Sequence, residues 1–520
     1  MITTADLIAV SLAAVVVLFT FVYRQFTTQN LPLPPGPKPR FFTGNIHQVP
    51  FTTPWLTYAS WSKIYGPLVY LRIFKTRVLV LNTAKSALDL LEARSAIYSD
   101  RPTSWSTSAL GGKRQIIFGM SSQNRRFRIY RKALHIGLNI RAVQDYSPIQ
   151  VQETHTFLKS LLKSPENVFA HIRRFRFIGM STRNAVAQIM KISYGYQVEN
   201  DDDPFVRMIE DGIALFRTAF RGFWMWIDIF PLLKFVPDWL PGAGFKRKAR
   251  EFSKKADEID QAPYSWAKNN IATGNYTESF TSKHLEDDML LPTEEKDDII
   301  KYCSAALYIG GADTTVSAIT SFFWLMSVYP EVQKKAQQEV EQMIGGRLPT
   351  PADHGSMPYI SALVKEVVRW APAAPLGLNV FIPGLRHCVT EDDIYEGYYI
   401  PKGTTIIANI WAITHDPEIY PNPSIFDPTR HLGERPQVDP LKFVFGFGRR
   451  VCPGAHFAES SMFLTIASVL ATFDINKALS PDGREIEPPM EWTSGVTNRL
   501  KPFSCRITPR FKDINGILGM

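Results

Sequence analysis

The stretch FGFGRRVCPGAHF, residues 445–457, constrains the fold of this chain of 520 residues more than any other stretch. It places Cys452 at fixed offsets from glycine and arginine, and a segment with apolar residues at helical spacing follows it. A sulfur at the start of a helix lies near unpaired backbone N–H groups and the positive end of the helix dipole, which lower the pKa of a thiol. The alternative is a small apolar core residue, the commoner role of a lone cysteine. The full pattern favours a reactive thiolate.

Two further features of this stretch indicate a flat ligand that carries iron and a carboxylate. Gly446, Gly448 and Gly454 permit a tight turn and a close approach of the backbone to a flat molecule. A thiolate is the form of cysteine that binds metal. Arg450, two residues before Cys452, could pair with a carboxylate of the same ligand. We therefore take Cys452 as a candidate iron ligand.

This stretch resembles the haem-binding loop of the cytochrome P-450 haem-thiolate monooxygenases, because the Phe, Gly, Arg, Cys and Gly positions of that loop are all matched. The resemblance extends from residue 31 to near the C-terminus and includes SDRP at residues 99–102. It implies a mainly α fold with a small β portion, the cytochrome P-450 fold. It also implies haem b, iron protoporphyrin IX, as the cofactor.

The resemblance assigns cofactor-binding roles to individual residues of the loop. Cys452 is implied as the metal-binding axial ligand, and thiolate ligation favours cleavage of the O–O bond. Arg450 is implied as an anchor for a haem propionate. Phe445 and Gly446 are implied as parts of the same cofactor-binding loop.

The segment YIGGADTTVSAITSFFWLM, residues 308–326, has a helical pattern with two adjacent glycines. Gly310 and Gly311 would let a ligand approach the backbone or let the helix kink. The segment resembles the oxygen-side helix of the same family, which implies that Asp313 and Thr314 deliver protons to dioxygen as catalytic residues. The alternative is that the Thr314 hydroxyl only bonds to a carbonyl one turn earlier.

Residues 121–135, SSQNRRFRIYRKALH, resemble the W-R-x-x-R-K helix of the family, which contacts the haem propionates. Arg131 is implied as cofactor-binding, whereas Phe127 replaces the usual tryptophan and removes an indole N–H donor. An insertion over residues 379–385 precedes His387, which is implied as a displaced propionate-binding histidine.

A third resemblance concerns a structural network. Glu366 and Arg369 in KEVVRW lie three residues apart, so they meet on one helix face. They match the E-x-x-R helix of the family, and FDPTRHL supplies Arg430 as its third member. The resemblance implies that this network helps to hold the cysteine loop. His431 stands where phenylalanine is common, a departure that we expect to affect packing more than chemistry.

The N-terminus begins with an apolar stretch, because residues 7–23 contain no charged side chain. This length is close to the minimum for crossing a bilayer core of about 30 Å. A cleaved signal peptide is the competing interpretation, but no basic residue precedes the stretch and no small-residue cleavage site follows it. We expect a transmembrane anchor over residues 1–30 and a catalytic domain over residues 31–520. Basic residues after the anchor favour an endoplasmic reticulum location with the domain facing the cytosol.

Composition limits the remaining possibilities. The four cysteines lie far apart without a C-x-x-C pair, which argues against disulfides and zinc sites. The net charge of +9 comes without a long basic run, so a solvated or membrane-adjacent surface explains it better than nucleic acid binding. Residues 223–242 are rich in aromatics and precede a basic cluster, which suits a bilayer interface, with a buried core segment as the alternative.

The resemblance to the cytochrome P-450 family implies a monooxygenase that inserts one oxygen atom of O2 into an apolar small molecule, with fungal secondary metabolism as the expected setting. The chain has no flavin or dinucleotide fingerprint, so NADPH would act through a separate NADPH-cytochrome P-450 reductase. The cationic surface from Arg125 to Lys132, with Lys442 and Arg449, would suit docking of this acidic partner. One alternative is a degenerate haem-binding membrane protein without turnover. Another is a haem-thiolate isomerase or peroxygenase, and the intact GGADTT segment argues against this second alternative.

Overall fold

The structure is a computed structural model. It describes residues 31–50, 52–102, 117–168, 184–198, 203–208, 211, 230–240, 243–287, 295–376, 386–493, 497–511 and 514–518. The expected anchor at residues 1–30 and the insertion at residues 379–385 lie outside these ranges. Across the ranges that the structure does describe, no helix combines the length and the apolar character needed to cross a membrane.

Helices dominate the described residues, which confirms the mainly α fold class. Short turns link several of them, including a π-helical turn at Leu88–Ala93 and 3-10 turns at Pro428–His431 and Gly448–Arg450. The helices are α1 Pro54–Tyr65, α2 Ala84–Ala87, α3 Ser95–Tyr98, α4 Arg125–Leu138, α5 Ile140–Asp145, α6 Ser147–Lys163, α7 Asn184–Tyr194, α8 Gly244–Ala272, α9 Phe280–Glu286, α10 Lys296–Val328, α11 Pro330–Ile344, α12 Pro358–Trp370, α13 Ile410–Thr414, α14 Leu441–Val444, α15 Ala455–Thr472 and α16 Ile514–Leu518.

The β portion consists of three small sheets. The largest has the order β1-β2-β6-β3, in which β2 pairs antiparallel with β1 and parallel with β6. The second sheet pairs β4 with β5, and the third has the order β8-β7-β9. The strands are β1 Leu68–Ile73, β2 Thr76–Leu81, β3 His387–Cys388, β4 Asp393–Tyr395, β5 Tyr398–Ile400, β6 Thr405–Ala408, β7 Phe473–Leu479, β8 Glu485–Ile486 and β9 Cys505–Pro509.

Helix α10 forms the centre of the largest apolar cluster. Residues 316–327 of this helix are all buried, as expected for a helix that is apolar on every side. The cluster also contains Phe157 of α6, Leu363 of α12 and Phe463 of α15. Burial of each such side chain stabilises the fold by about 1.5–3 kcal/mol. The cluster therefore fixes α10 against the helix that follows the cysteine loop.

Candidate active site

The cysteine loop lies between α14 and α15. The Cys452 N–H donates to the Phe445 carbonyl at 2.7 Å, which closes the loop. Gly446 and Gly448 have φ values of 79° and 51°, a left-handed conformation that favours glycine. Gly454 then caps the N-terminus of α15. The predicted tight turn before a helix is therefore present.

Gly448 lies directly against the π-helical turn Leu88–Ala93. A Cβ atom at Gly448 would lie 2.5 Å from the Leu91 carbonyl oxygen and 2.7 Å from the Ser95 Cβ. The Gly448 N–H donates to Glu92 Oε2 at 2.6 Å. This hydrogen bond joins the cysteine loop to a segment 356 residues earlier in the chain. Glu92 is a residue that the sequence analysis missed, and no motif around it signals its role.

The Cys452 thiol differs from the sequence-based expectation in one respect. Burial raises its pKa, and this effect outweighs both the hydrogen bond from the Gly454 backbone and the positive charge of Arg131, which lower it. The expected lowering by the helix start is therefore wrong for the free thiol. Cys452 is nevertheless an exposed residue, so it is not part of the packed core. Metal coordination deprotonates such a thiol outright.

Buried Arg101 and half-buried Arg450 of the cysteine loop both bond to backbone carbonyls. Arg450 donates to the Ser99 carbonyl at 2.8 Å and to the Met120 carbonyl at 2.6 Å. Arg101 donates to the Phe118 and Arg386 carbonyls, both at 2.9 Å. These carbonyls are neutral acceptors, and the carboxylate of Asp100 acts on the charges of both guanidinium groups.

Arg131 and His387 complete this cluster. Arg131 donates to the Val451 carbonyl at 2.8 Å, next to Cys452. His387 Nδ1 lies 2.9 Å from the Tyr98 carbonyl oxygen, which can only accept a hydrogen bond. Burial, followed by the charges of Arg101 and Arg450, lowers the pKa of His387 to about 3. The neutral ring therefore keeps its proton on Nδ1 and offers a carboxylate no donor from Nε2.

The charge balance of this cluster is positive. Burial lowers the pKa of Arg450 to about 10, and it lowers the pKa of Arg131 and Arg101 as well. The Arg450 charge lowers the pKa of Arg101 further, whereas Asp100 opposes this shift. Like charges that depress each other's pKa values indicate a site that an anionic ligand would stabilise.

Asp313 and Thr314, the predicted catalytic pair, lie on α10. They are half-buried, and buried segments of the helix lie on either side of them. Thr314 Oγ1 donates to the Gly310 carbonyl at 2.8 Å, so the bond one turn back that the alternative interpretation requires is present. Asp313 Oδ2 accepts from Thr497 Oγ1 at 2.8 Å, and Asp313 Oδ1 lies 3.5 Å from Arg499 Nη1. Sequence reasoning identified neither partner of Asp313.

The two glycines of α10 admit side chains from neighbouring elements. A Cβ atom at Gly311 would lie 3.0 Å from Ile189 Cδ1 of α7, and one at Gly310 would lie 3.3 Å from Phe118 Cζ. The helix continues without interruption from Lys296 to Val328. Phe118 also accepts the Arg101 hydrogen bond through its carbonyl, so it links α10 with the arginine cluster.

The predicted structural network is present and larger than expected. Glu366 accepts two hydrogen bonds from Arg369, at 2.7 and 2.8 Å, and one from Arg430 at 3.0 Å. His431 Nε2 lies 3.0 Å from Glu366 Oε2, with its side chain only 2% exposed. The expectation that His431 affects packing more than chemistry is therefore wrong, because the ring is a polar member of the network. Asp427 contributes its backbone N–H at 3.0 Å.

Comparison with known proteins decides the family. The sequence pattern of the family described as Cytochrome P450 matches residues 34–506. This chain belongs to the cytochrome P450 family. It is therefore an oxidoreductase, and its relatives are cytochrome P450 monooxygenases.

Three fungal relatives illustrate the similarity of this cytochrome P450. Cytochrome P450 monooxygenase 208 from Postia placenta is 39% identical over 501 residues, which cover 95% of this chain and 94% of that protein. Cytochrome P450 monooxygenase claR from Ampulloclitocybe clavipes is 38% identical over 516 residues, covering 98% and 92%. Cytochrome P450 monooxygenase ple1 from Rhodocybe pseudopiperita is 37% identical over 493 residues, covering 94% and 91%.

The residues of this cytochrome P450 fit the haem that its family implies. An exposed cysteine at the start of a helix suits an iron ligand, and three arginines at low exposure around it suit two propionates. Cys452 would bind the iron, while Arg101, Arg131 and Arg450 would hold the propionates. Bound haem would supply the iron at which O2 is activated. Arg101 is the residue that the sequence analysis missed here, although SDRP at residues 99–102 pointed to this position.

Proposed function

We propose that this cytochrome P450 inserts one oxygen atom of O2 into an apolar small molecule, as part of fungal secondary metabolism. Electrons come from NADPH through a separate reductase, and the cofactor is haem b. The observation that carries the proposal is the exposed residue Cys452 in a loop beside half-buried Arg131 and Arg450 and buried Arg101. The half-buried Asp313 and Thr314 of α10 add groups that can exchange protons.

The site residues take separate roles in this proposal. Cys452 binds iron, Arg450 and Arg131 anchor propionates, and Phe445 accepts the Cys452 N–H that closes the loop. Thr314 holds a hydroxyl proton in a bond to the Gly310 carbonyl, and a hydroxyl can pass on one proton while it accepts another. The Asp313 carboxylate can take up and release protons next to it. His387 contributes to propionate binding only if its ring becomes protonated.

Exposed cations near the cysteine loop support docking of a reductase. Arg128, Lys132, Lys442 and Arg449 are exposed. Arg125 pairs with Glu295, so this guanidinium is partly neutralised. Complementary charge would speed the encounter with an acidic partner, with a dependence on ionic strength.

An exposed apolar surface supports membrane association, with residues 1–30 as anchor and residues 31–520 as catalytic domain. Phe41 is 96% exposed, and Leu232 and Trp239 are 79% and 80% exposed. These side chains exclude the core interpretation for the described residues 230–240. Phe74 joins the two parts of this surface, because its ring lies 6.2 Å from Phe42 and 5.4 Å from Phe230. Such exposed aromatics suit a bilayer interface, here that of the endoplasmic reticulum on its cytosolic side.

Turnover with isotopically labelled O2 tests the proposed activity. The full-length protein with reductase and NADPH should transfer one labelled oxygen atom to an apolar substrate, and Cys452→Ala should abolish this transfer. A second candidate is a degenerate haem-binding protein, which Phe127 in place of tryptophan favours. Haem binding without labelled product for any apolar substrate would support that candidate and contradict the monooxygenase proposal.

A further inference from the structure

A hairpin near the C-terminus lies against α10. Its two arms are residues 491–493 and 497–501, and backbone hydrogen bonds of 2.7 and 2.8 Å join them. We call residues 497–501 the C-terminal arm. Leu500 in this arm is only 1% exposed and belongs to the large apolar cluster around α10. The backbone hydrogen bonds between the two arms and the burial of Leu500 together hold the C-terminal arm in one place.

The C-terminal arm contacts α10 at two positions one helical turn apart. Thr497 and Arg499 reach the two carboxylate oxygens of Asp313, at 2.8 Å and 3.5 Å. One turn later, Ser317 Oγ donates to the Asn498 carbonyl at 2.5 Å. Residues four apart lie on the same face of a helix, so the arm follows one face of α10. Three consecutive residues of the arm are therefore bonded to this face.

The arm is also tied to the rest of the fold. The Asn498 N–H donates to the Ala373 carbonyl at 2.8 Å, just after α12. The side chain of Asn498 is 5% exposed, so water has little access to the contact. Asp313 is consequently held by an element that cannot shift without breaking bonds to both α10 and the end of α12.

The charge of Arg499 acts on Asp313 at low solvent exposure. The side chains of Arg499 and Asp313 are 11% and 21% exposed, so salt screens their interaction less than that of a surface pair. Burial lowers the pKa of Arg499 to about 10, which leaves the guanidinium protonated at neutral pH. The hairpin also contains the charged pair Lys501 and Glu491. The side chains of this pair are about half exposed, and neither residue lies on α10.

We propose that Thr497 and Arg499 are positioning residues that fix the orientation of the Asp313 carboxylate. Each reaches a different carboxylate oxygen, so rotation of the carboxylate would break both contacts. The C-terminal arm thereby holds both oxygens of Asp313 in one place. The inference rests on the proposed catalytic role of Asp313.

The test compares coupling, measured as product formed per NADPH consumed, in the full-length enzyme with reductase. Arg499→Gln and Thr497→Val should each lower coupling severalfold, because each variant frees one oxygen of the Asp313 carboxylate from its partner. Arg499→Lys should restore most of the wild-type coupling, because it keeps a cation that can reach the carboxylate. Wild-type coupling in both Arg499→Gln and Thr497→Val overturns the inference, even if both variants are less stable.

A second readout does not depend on activity. Urea unfolding of Asp313→Asn, Arg499→Gln and the double variant forms a cycle in which interacting residues give non-additive changes. We expect the unfolding equilibrium constant of the double variant to differ from the additive value by roughly tenfold, and additivity would overturn the inference. Lys501→Gln is the matched control, since it removes a cation from the same arm whose partner is Glu491 rather than a residue of α10, and it should leave coupling unchanged.

The two proposals fail in different ways. If Asp313→Asn leaves coupling unchanged, the proposed role of Asp313 is wrong and the inference falls with it. If Asp313→Asn uncouples the enzyme while Arg499→Gln and Thr497→Val retain the wild-type coupling, only the positioning role is wrong.

Discussion

The guanidinium group of Arg450 lies 4.1 Å from the ring centroid of Phe127. Phe127 is buried on α4, while Arg450 belongs to the loop that carries Cys452, so the contact joins the two elements that carry Arg131 and Arg450. A cation over an aromatic ring is worth about 0.5–2 kcal/mol, depending on its solvent exposure. Phe127 therefore keeps the aromatic packing expected of a tryptophan at this position and lacks only the indole donor.

This contact predicts that Phe127→Ala loosens haem binding and Phe127→Trp does not. The alanine variant loses both the ring under Arg450 and core packing that is worth about 3–5 kcal/mol. We expect its haem to transfer to a scavenger protein at least roughly tenfold faster, since loss of about 1.4 kcal/mol changes an equilibrium tenfold. Phe157→Ala is the control, because it removes an equally buried ring far from Arg450. Equal haem transfer rates in the two alanine variants would contradict a specific role for Phe127.

The close approach of Gly448 to Leu91 predicts that Gly448→Ala disturbs the cysteine loop. A Cβ atom there would meet a backbone oxygen at 2.5 Å, and backbone oxygens cannot rotate away as a side chain can. We expect a loss of several kcal/mol of unfolding free energy and incomplete haem incorporation, measured by denaturation and by the haem-to-protein absorbance ratio. Gly483→Ala is the control for the cost of a left-handed backbone conformation without a steric clash. Gly483 has φ 82°, and no atom lies within 4 Å of its Cβ position. Similar losses in both variants would contradict the steric explanation.

The network around Glu366 predicts a pH dependence of stability. Burial alone would raise the pKa of Glu366, but hydrogen bonds from Arg369 and His431 and the Arg369 charge outweigh it and lower the pKa below its usual 4.5. Because the folded-state pKa is lowered, the stabilisation is complete above pH 4.5 and is lost as the pH falls through the folded-state value.

Two variants test this dependence. Glu366→Gln leaves a buried arginine without its counter-charge, which costs about 3–5 kcal/mol at neutral pH. Its unfolding free energy should also vary less with pH below 4.5 than that of the wild type. His431→Phe is the milder variant, since it removes one hydrogen bond worth about 1 kcal/mol. Unchanged acid sensitivity in both variants would show that Glu366 does not control this part of the stability curve.

The sequence predicted the elements whose signals are local. The glycine offsets around Cys452 identified the loop, and the apolar pattern of residues 308–326 identified α10. The β-branched stretch GTTIIANIWAI, residues 403–413, favours a strand throughout, but only Thr405–Ala408 is one, because the Asn409 side chain caps α13 through the Ala412 N–H. Neither Arg499 nor Glu92 could be predicted, since each acts on a residue more than 180 positions away, at separations of 186 and 356. Such pairings depend on tertiary packing, which no local pattern encodes.

The exposed apolar surface predicts that Trp239 enters the bilayer interface in the full-length protein. Its indole is 80% exposed beside exposed Leu232, and an amphipathic ring is favoured at the depth of the lipid headgroups. Brominated lipids should therefore quench part of the tryptophan fluorescence of the protein in vesicles, and Trp239→Phe should remove a measurable share of that quenching. Trp324→Phe is the control, because Trp324 is 7% exposed in the core around α10 and lies out of reach of the lipid. If Trp239→Phe and Trp324→Phe lose the same share of quenching, this surface does not contact the membrane, and its apolar side chains must serve another contact.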